Sequence, residues 1–256
     1  MLGADLKKTL IEDLARPGFI QIAVVVCGYA AYQKVLEKAD PAFLAGQSLG
    51  EYTALICSGA LRLEEGLEIV LARSKWMAEA SGEEGAMAAV TGVDASIIEN
   101  ICDLIEAERG SAICVSNYNH DMQTVISGQK TAIAIAAEKL KRYNAAVSVL
   151  DIGVASHSSL MAPAAQKLKA KLESLEYLEL QVPVVSNVTG LPYSSHKVMR
   201  EMLTAHLTKP VQWHRALKYL AKSGVATAVD VGPGRTQMNI AAKTGLFESC
   251  LSLDDY

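Results

Sequence analysis

The chain has 256 residues, enough for one domain or for a large unit holding a smaller insert. Half of its residues are hydrophobic and 20% are charged, so a packed core can form. A net charge of −4 offers no basic surface for a nucleic acid or an anionic membrane.

The five cysteines (Cys27, Cys57, Cys102, Cys114 and Cys250) are odd in number and form no C-x-x-C pair. They read as reduced thiols of a cytoplasmic protein. The longest unbroken apolar run, Ile22 to Cys27, is too short to span a bilayer. The N-terminal charges adjoin no apolar stretch, so no signal peptide is expected.

Residues 4–15 predict an amphipathic helix, stopped at Pro17-Gly18. Residues 19–38 predict a mostly buried helix. A short strand follows at Phe43-Leu44-Ala45, then Gly46-Gln47-Ser48-Leu49-Gly50, with a helix continuing from Glu51 to Ser58. Residues 63–80 predict another helix. From Ala86 the order changes: strand 86–91, helix 95–108, strands 112–116 and 124–127, helix 130–143, strand 146–152. That β-α-β-β-α-β order is a ferredoxin-like signature. Beyond it come a helix near 162–175, a strand at 182–186, helices near 196–207 and 212–222, and a strand at 226–231. Gly232-Pro233-Gly234 and a last helix follow. The expected fold is an α/β body with a parallel sheet, over residues 1–83 and 155–256, interrupted by a ferredoxin-like insert at 84–154.

G-x-S-x-G between a strand and a helix is a nucleophile elbow. The turn is sharp enough to strain the serine backbone and to make neighbouring Cβ atoms clash. It lifts the Ser48 hydroxyl to a helix N-terminus, where the Leu49 N–H can donate to an oxyanion. A serine needs a base. Of His120, His157, His196, His206 and His214, only His157 follows an apolar strand at a point where the chain re-enters the body. Asp151 and Asp230 are candidates to orient it by location alone. The residues by themselves reach a serine acyl-transfer enzyme.

The segment Ala45-Gly46-Gln47-Ser48-Leu49-Gly50-Glu51-Tyr52-Thr53-Ala54-Leu55 resembles the active-site segment of malonyl-CoA:acyl carrier protein transacylases, the fatty-acid and polyketide synthase acyltransferases. Ile69 to Met77 resembles the family's arginine helix, and Gly85 to Val90 the strand after it. Asn117-Tyr118-Asn119 with Gln123, Ser156-His157, Pro183 to Val188, Pro210 to Trp213 and Val231 to Gly234 follow in family order. Ser48 precedes Arg73 by 25 residues and His157 by 109, both as in the family. The resemblance runs from about residue 2 to residue 245.

The resemblance implies a ping-pong reaction: Ser48 attacks malonyl-CoA, His157 takes its proton, and an acyl carrier protein collects the acyl group. No cofactor is implied beyond the coenzyme A thioester, which is the substrate. The family's histidine is oriented by backbone carbonyls, which removes the need for an aspartate. Arg73 becomes the clamp for the free carboxylate, since a guanidinium pairs bidentately with it. Read without the resemblance, Arg73 is an ordinary surface helix residue. Gln47, Asn117 and Asn187 are expected to help bind substrate.

The sequence departs from the family in three places. Relatives open with a strand and a G-Q-G-S-Q-like loop whose glutamine supplies a second oxyanion N–H. This sequence shows none: either it is a piece of a longer chain, or one donor fewer, about 10²–10³ in rate, and an uncovered sheet edge are expected. Gln47 stands where the family usually has histidine, and keeps the capacity to donate and accept. His206 stands where relatives often carry glutamine. Val154-Ala155-Ser156 leaves methylmalonyl open beside malonyl. Two other readings stay open: an acyl hydrolase of the same fold, and a weakened module that only binds carrier protein.

Overall fold

The computed structural model describes residues 17–256, so the helix expected at 4–15 lies outside the described residues. The first described helix, α1, spans Pro17–Leu36. Pro17 therefore opens a helix, where its fixed φ suits the first turn. Its stretch from Gly18 to Leu36, 19 residues, is long and apolar enough by length and composition to cross a bilayer. It is not mostly buried, contrary to expectation. Val25, Ala31, Tyr32 and Val35 form a stripe into the core, while Phe19, Ile20, Val26 and Leu36 are exposed. A helix packed on one side buries one stripe, however apolar the rest of it is.

Strand β1 (Leu44–Ala45) leads into α2 (Leu49–Cys57) and α3 (Leu63–Ser81). The smaller unit runs through β2 (Gly85–Thr91), α4 (Ala95–Arg109), β3 (Ile113–His120), β4 (Gln123–Gln129), α5 (Lys130–Leu140) and β5 (Ala146–Leu150). Its sheet has the order β3-β4-β2-β5, and every pairing is antiparallel. Strand alternation turns Ala88, Val90 and Ile126 toward Ile98 and Ile105 of α4 and Ile133 of α5, making an apolar cluster separate from the body's. Strand β3 is longer than expected, and its pairing with β4 has irregularities between Val115 and Asn117 and between Tyr118 and His120.

The rest of the body is α6 (Ala162–Glu173), β6 (Val184–Val185), α7 (His196–Ala205), α8 (Trp213–Lys222), β7 (Thr227–Asp230), α9 (Thr236–Thr244) and β8 (Ser249–Ser252). The parallel pairing of the body falls into two short ladders, β1 with β6 and β7 with β8. Strand β8 was not expected. It forms because β7 offers a parallel edge for Ser249 to Ser252. The main core gathers Tyr52, Leu55, Ile69, Val70, Met161, Leu168, Leu172 and Leu203 around α2, α3, α6 and α7.

The insert's β3 is tied to the body by main chain. The Val211 N–H donates to the Ser116 carbonyl at 2.8 Å, and the Tyr118 N–H to the Val211 carbonyl at 3.0 Å. This bridge brings the end of β3 beside the β1–α2 turn.

Candidate active site

Ser48 is the residue between β1 and α2, with φ 49° and ψ −104°. A non-glycine residue at positive φ costs about 1–3 kcal/mol and persists only where its surroundings hold it. Gly46 makes the turn possible: a Cβ there would stand 2.0 Å from the Gly50 carbonyl oxygen. The expected clash does not extend to Gly50, whose own Cβ position is open. Asn187, just after β6, braces the turn. Its Oδ1 accepts from the Ser48 N–H at 2.8 Å, and its Nδ2 donates to the Gly46 carbonyl at 2.7 Å. Asn187 was expected among the groups that bind substrate. Its amide is instead engaged by the backbone of Ser48 and of Gly46.

The Ser48 hydroxyl lies 2.8 Å from His157 Nε2. His157 Nδ1 donates to the His206 backbone carbonyl at 2.6 Å. That bond leaves Nε2 as the acceptor for the serine proton. Neither Asp151 nor Asp230 takes part. Asp151 is exposed. Asp230 accepts from the N–H groups of Gly232 and Met238, shaping the turn before α9. His157 also sits at positive φ, 60°. The Cys114 thiol of β3 donates to its carbonyl at 3.6 Å. Burial, then the neighbouring His206 ring and the Arg73 guanidinium, hold the His157 imidazole well below the usual histidine range, against the pull of the His206 carbonyl.

Arg73 is 2% exposed. Its Nη2 is 3.5 Å from Ser48 Oγ, its Nη1 donates to Gln21 Oε1 at 3.4 Å, and its Nε has no partner. The guanidinium lies over the Tyr52 ring at 5.6 Å. Burial lowers its pKa from the ordinary arginine value. Among the described residues no carboxylate forms an ion pair with it. The reading of Arg73 as a surface residue misses a signal that was present. Gly66, Ile69, Val70, Arg73 and Met77 recur at helical spacing, and all are buried on one face of α3.

Leu49 is the first residue of α2, where a helix N–H has no acceptor within the helix and faces outward with the positive end of the dipole. That places an N–H with no acceptor in the helix directly after Ser48. Gln47 is committed to protein partners. Its Nε2 donates to Asn119 Oδ1 at 2.6 Å, its Oε1 accepts from Gln237 Nε2 at 2.9 Å, and Asn119 Nδ2 donates to Gln123 Oε1 at 3.1 Å. A chain of amides thus runs from α9 through the elbow to the insert. Asn117 accepts from the Ser116 hydroxyl at 2.8 Å, so Asn119 is the β3 asparagine that reaches the elbow by hydrogen bond. Gln237 was not anticipated, because α9 is far along the chain and nothing in its sequence points at Gln47.

The profile of the acyl transferase domain matches residues 10–249. A malonyl CoA-acyl carrier protein transacylase of Escherichia coli K12 is 37% identical over 228 residues, covering 88% of this chain and 73% of that protein. The chain belongs to the acyl transferase family. A transacylase of the same name from Bacillus subtilis is 32% identical over 249 residues, and this chain spans 62% of its length. The crystal structure of FabD from Acinetobacter baumannii superposes with a TM-score of 0.92 at 32% identity, covering 95% of this chain and 79% of that one. A malonyl-transacylase solved in complex with a type II polyketide acyl-carrier protein superposes with a TM-score of 0.88 at 33% identity, covering 94% of this chain and 78% of that one. The His206 ring stacks on His157 with centroids 4.6 Å apart.

Proposed function

We propose that this acyl transferase moves a malonyl group from coenzyme A to the phosphopantetheine thiol of an acyl carrier protein, through a malonyl ester on Ser48. The observation that carries the reading is Arg73, a buried guanidinium 3.5 Å from the nucleophile with no carboxylate partner of its own among the described residues. A buried cation with no carboxylate paired to it among the described residues favours a ligand that brings negative charge. Relatives named for malonyl transfer to acyl carrier protein support the choice of substrate and acceptor.

Ser48 Oγ attacks the thioester carbonyl carbon as His157 Nε2 takes the hydroxyl proton. The Leu49 N–H donates to the oxyanion. When the C–S bond breaks, His157 returns the proton to the departing coenzyme A sulfur. The carrier thiol then attacks the malonyl ester, giving its proton to His157, which passes it to Ser48 Oγ as the ester C–O bond breaks. The reaction draws on no cofactor beyond the thioester. The reduced thiols fit a cytoplasmic setting.

Intact-mass measurement after mixing with malonyl-CoA tests this. The expected result is one malonyl unit gained by the native chain and none by Ser48→Ala. A native chain that takes up no malonyl unit overturns the reading.

A further inference from the structure

His206 follows α7 and is fully buried, as is Glu51 of α2. The mechanism uses only the His206 backbone carbonyl, yet its side chain stands at the centre of the site. His206 Nδ1 is 2.8 Å from Glu51 Oε2, an ion-pair distance not aligned as a linear hydrogen bond. The other Glu51 oxygen accepts from the Asn187 N–H at 2.7 Å and from the Tyr193 hydroxyl at 2.6 Å. These two donors hold the Glu51 carboxyl group in place beside the His206 ring. On its other side the His206 ring lies on the His157 ring at 4.6 Å and 26°. The charged and titratable groups facing the pair are Glu51 and Tyr52 from α2, Arg73 from α3, Tyr193 from the segment before α7, Cys114 from β3, and His157 itself.

Two stacked imidazoles cannot both carry a proton cheaply in a buried site. Their surroundings differ in sign. His206 has a carboxylate at 2.8 Å, whereas His157 is close enough to Arg73 for that positive charge to oppose its protonation. We propose that His206 is a positioning residue that also protects the base. Paired with Glu51 and stacked on His157, it takes the proton that acidification delivers to the two rings, so His157 stays free to accept from Ser48. Its carbonyl fixes the His157 tautomer, and its ring packs on the face of the His157 ring. A glutamine at this position would supply the carbonyl but not the competing imidazole. The role rests on the acyl-transfer reading above and deepens it.

The test is the pH dependence of malonyl loading onto Ser48 in native chain and in His206→Gln, each read relative to its own high-pH plateau. The acid limb of His206→Gln is expected to move up by about one pH unit. Glu51→Gln is expected to move it the same way, because the proton then loses its reason to prefer His206. A purely structural role would change the plateau or the melting temperature and leave the limb in place, and that outcome overturns the proposal. Ring nitrogen chemical shifts of the histidine-labelled native chain give a readout that does not need turnover. On acidification His206 should gain its second ring proton before His157. The reverse order overturns the proposal. A native chain with the expected proton order but no malonyl uptake would instead sink the proposed substrate and leave the proton relay standing.

Discussion

Arg73 and Asn187 show how one buried side chain can be read from its partners. Among the described residues the Arg73 guanidinium hydrogen-bonds to neutral groups, Gln21 Oε1 and the Ser48 hydroxyl, and lies over the face of Tyr52. Substrate carboxylate would complete it. Arg73→Ala is expected to weaken malonyl loading about 10- to 100-fold, the worth of one charge-assisted pair, while acetyl loading changes far less. Equal losses for the two thioesters in single-turnover loading would remove the clamp. Asn187→Ala should act differently. It takes an acceptor from the Ser48 N–H and a donor from the Gly46 carbonyl, both at the strained turn. The expected cost is about 1–3 kcal/mol in urea unfolding, with malonyl and acetyl loading lowered alike.

At the scale of elements, the β1–α2 elbow is held by an asymmetric pair of glycines. Gly46→Ala drives a Cβ to 2.0 Å from the Gly50 carbonyl and should abolish loading or folding. Gly50→Ala meets nothing within 4 Å and should keep most activity. Comparing soluble yield and loading for the two variants checks this directly. The elbow's amide chain, Gln237 to Gln47 to Asn119 to Gln123, joins α9, the elbow and β3–β4. A helix, a turn and a hairpin from distant parts of the chain therefore share one hydrogen-bond network. Such a network rigidifies what it crosses when every member is satisfied. The buried Gln237 Oε1, which has no partner, is its open end.

For the whole molecule, the buried imidazole of His157 links stability to pH. Its folded-state pKa is held well below the ordinary value of 6.5 by burial first. Below pH 6.5 the unfolded chain therefore binds the proton that the folded chain refuses, and stability rises with pH in that range. Above 6.5 neither state holds the proton and this contribution levels off. Unfolding midpoints measured from pH 5 to 8 should climb and then flatten, and His157→Gln should weaken the climb. Packing is the larger whole-molecule term. Leu168 is fully buried in the main core, and Leu168→Ala should cost about 2–5 kcal/mol in the same unfolding experiment.

The order of helices and strands, the ferredoxin-like signature and the serine elbow were legible because each is local. A helical stripe, strand alternation and a glycine-flanked serine are written within a few residues of themselves. Ser48, Arg73 and His157 were nameable as a set only through a resemblance that spans the chain. Their convergence to 2.8 and 3.5 Å is made by packing that no short window contains. The exposed side of α1, the long irregular β3, the added strand β8 and the Gln47–Gln237 bond all depend on what lies opposite each segment in space. So does the His206 ring, which reads as an unremarkable helix-end histidine until Glu51 and His157 close on either side of it. Sequence set the local conformations and supplied the reactive groups. Tertiary structure decided which charges those groups face, because burial and partner distance govern protonation and pairing, and both are properties of the folded chain.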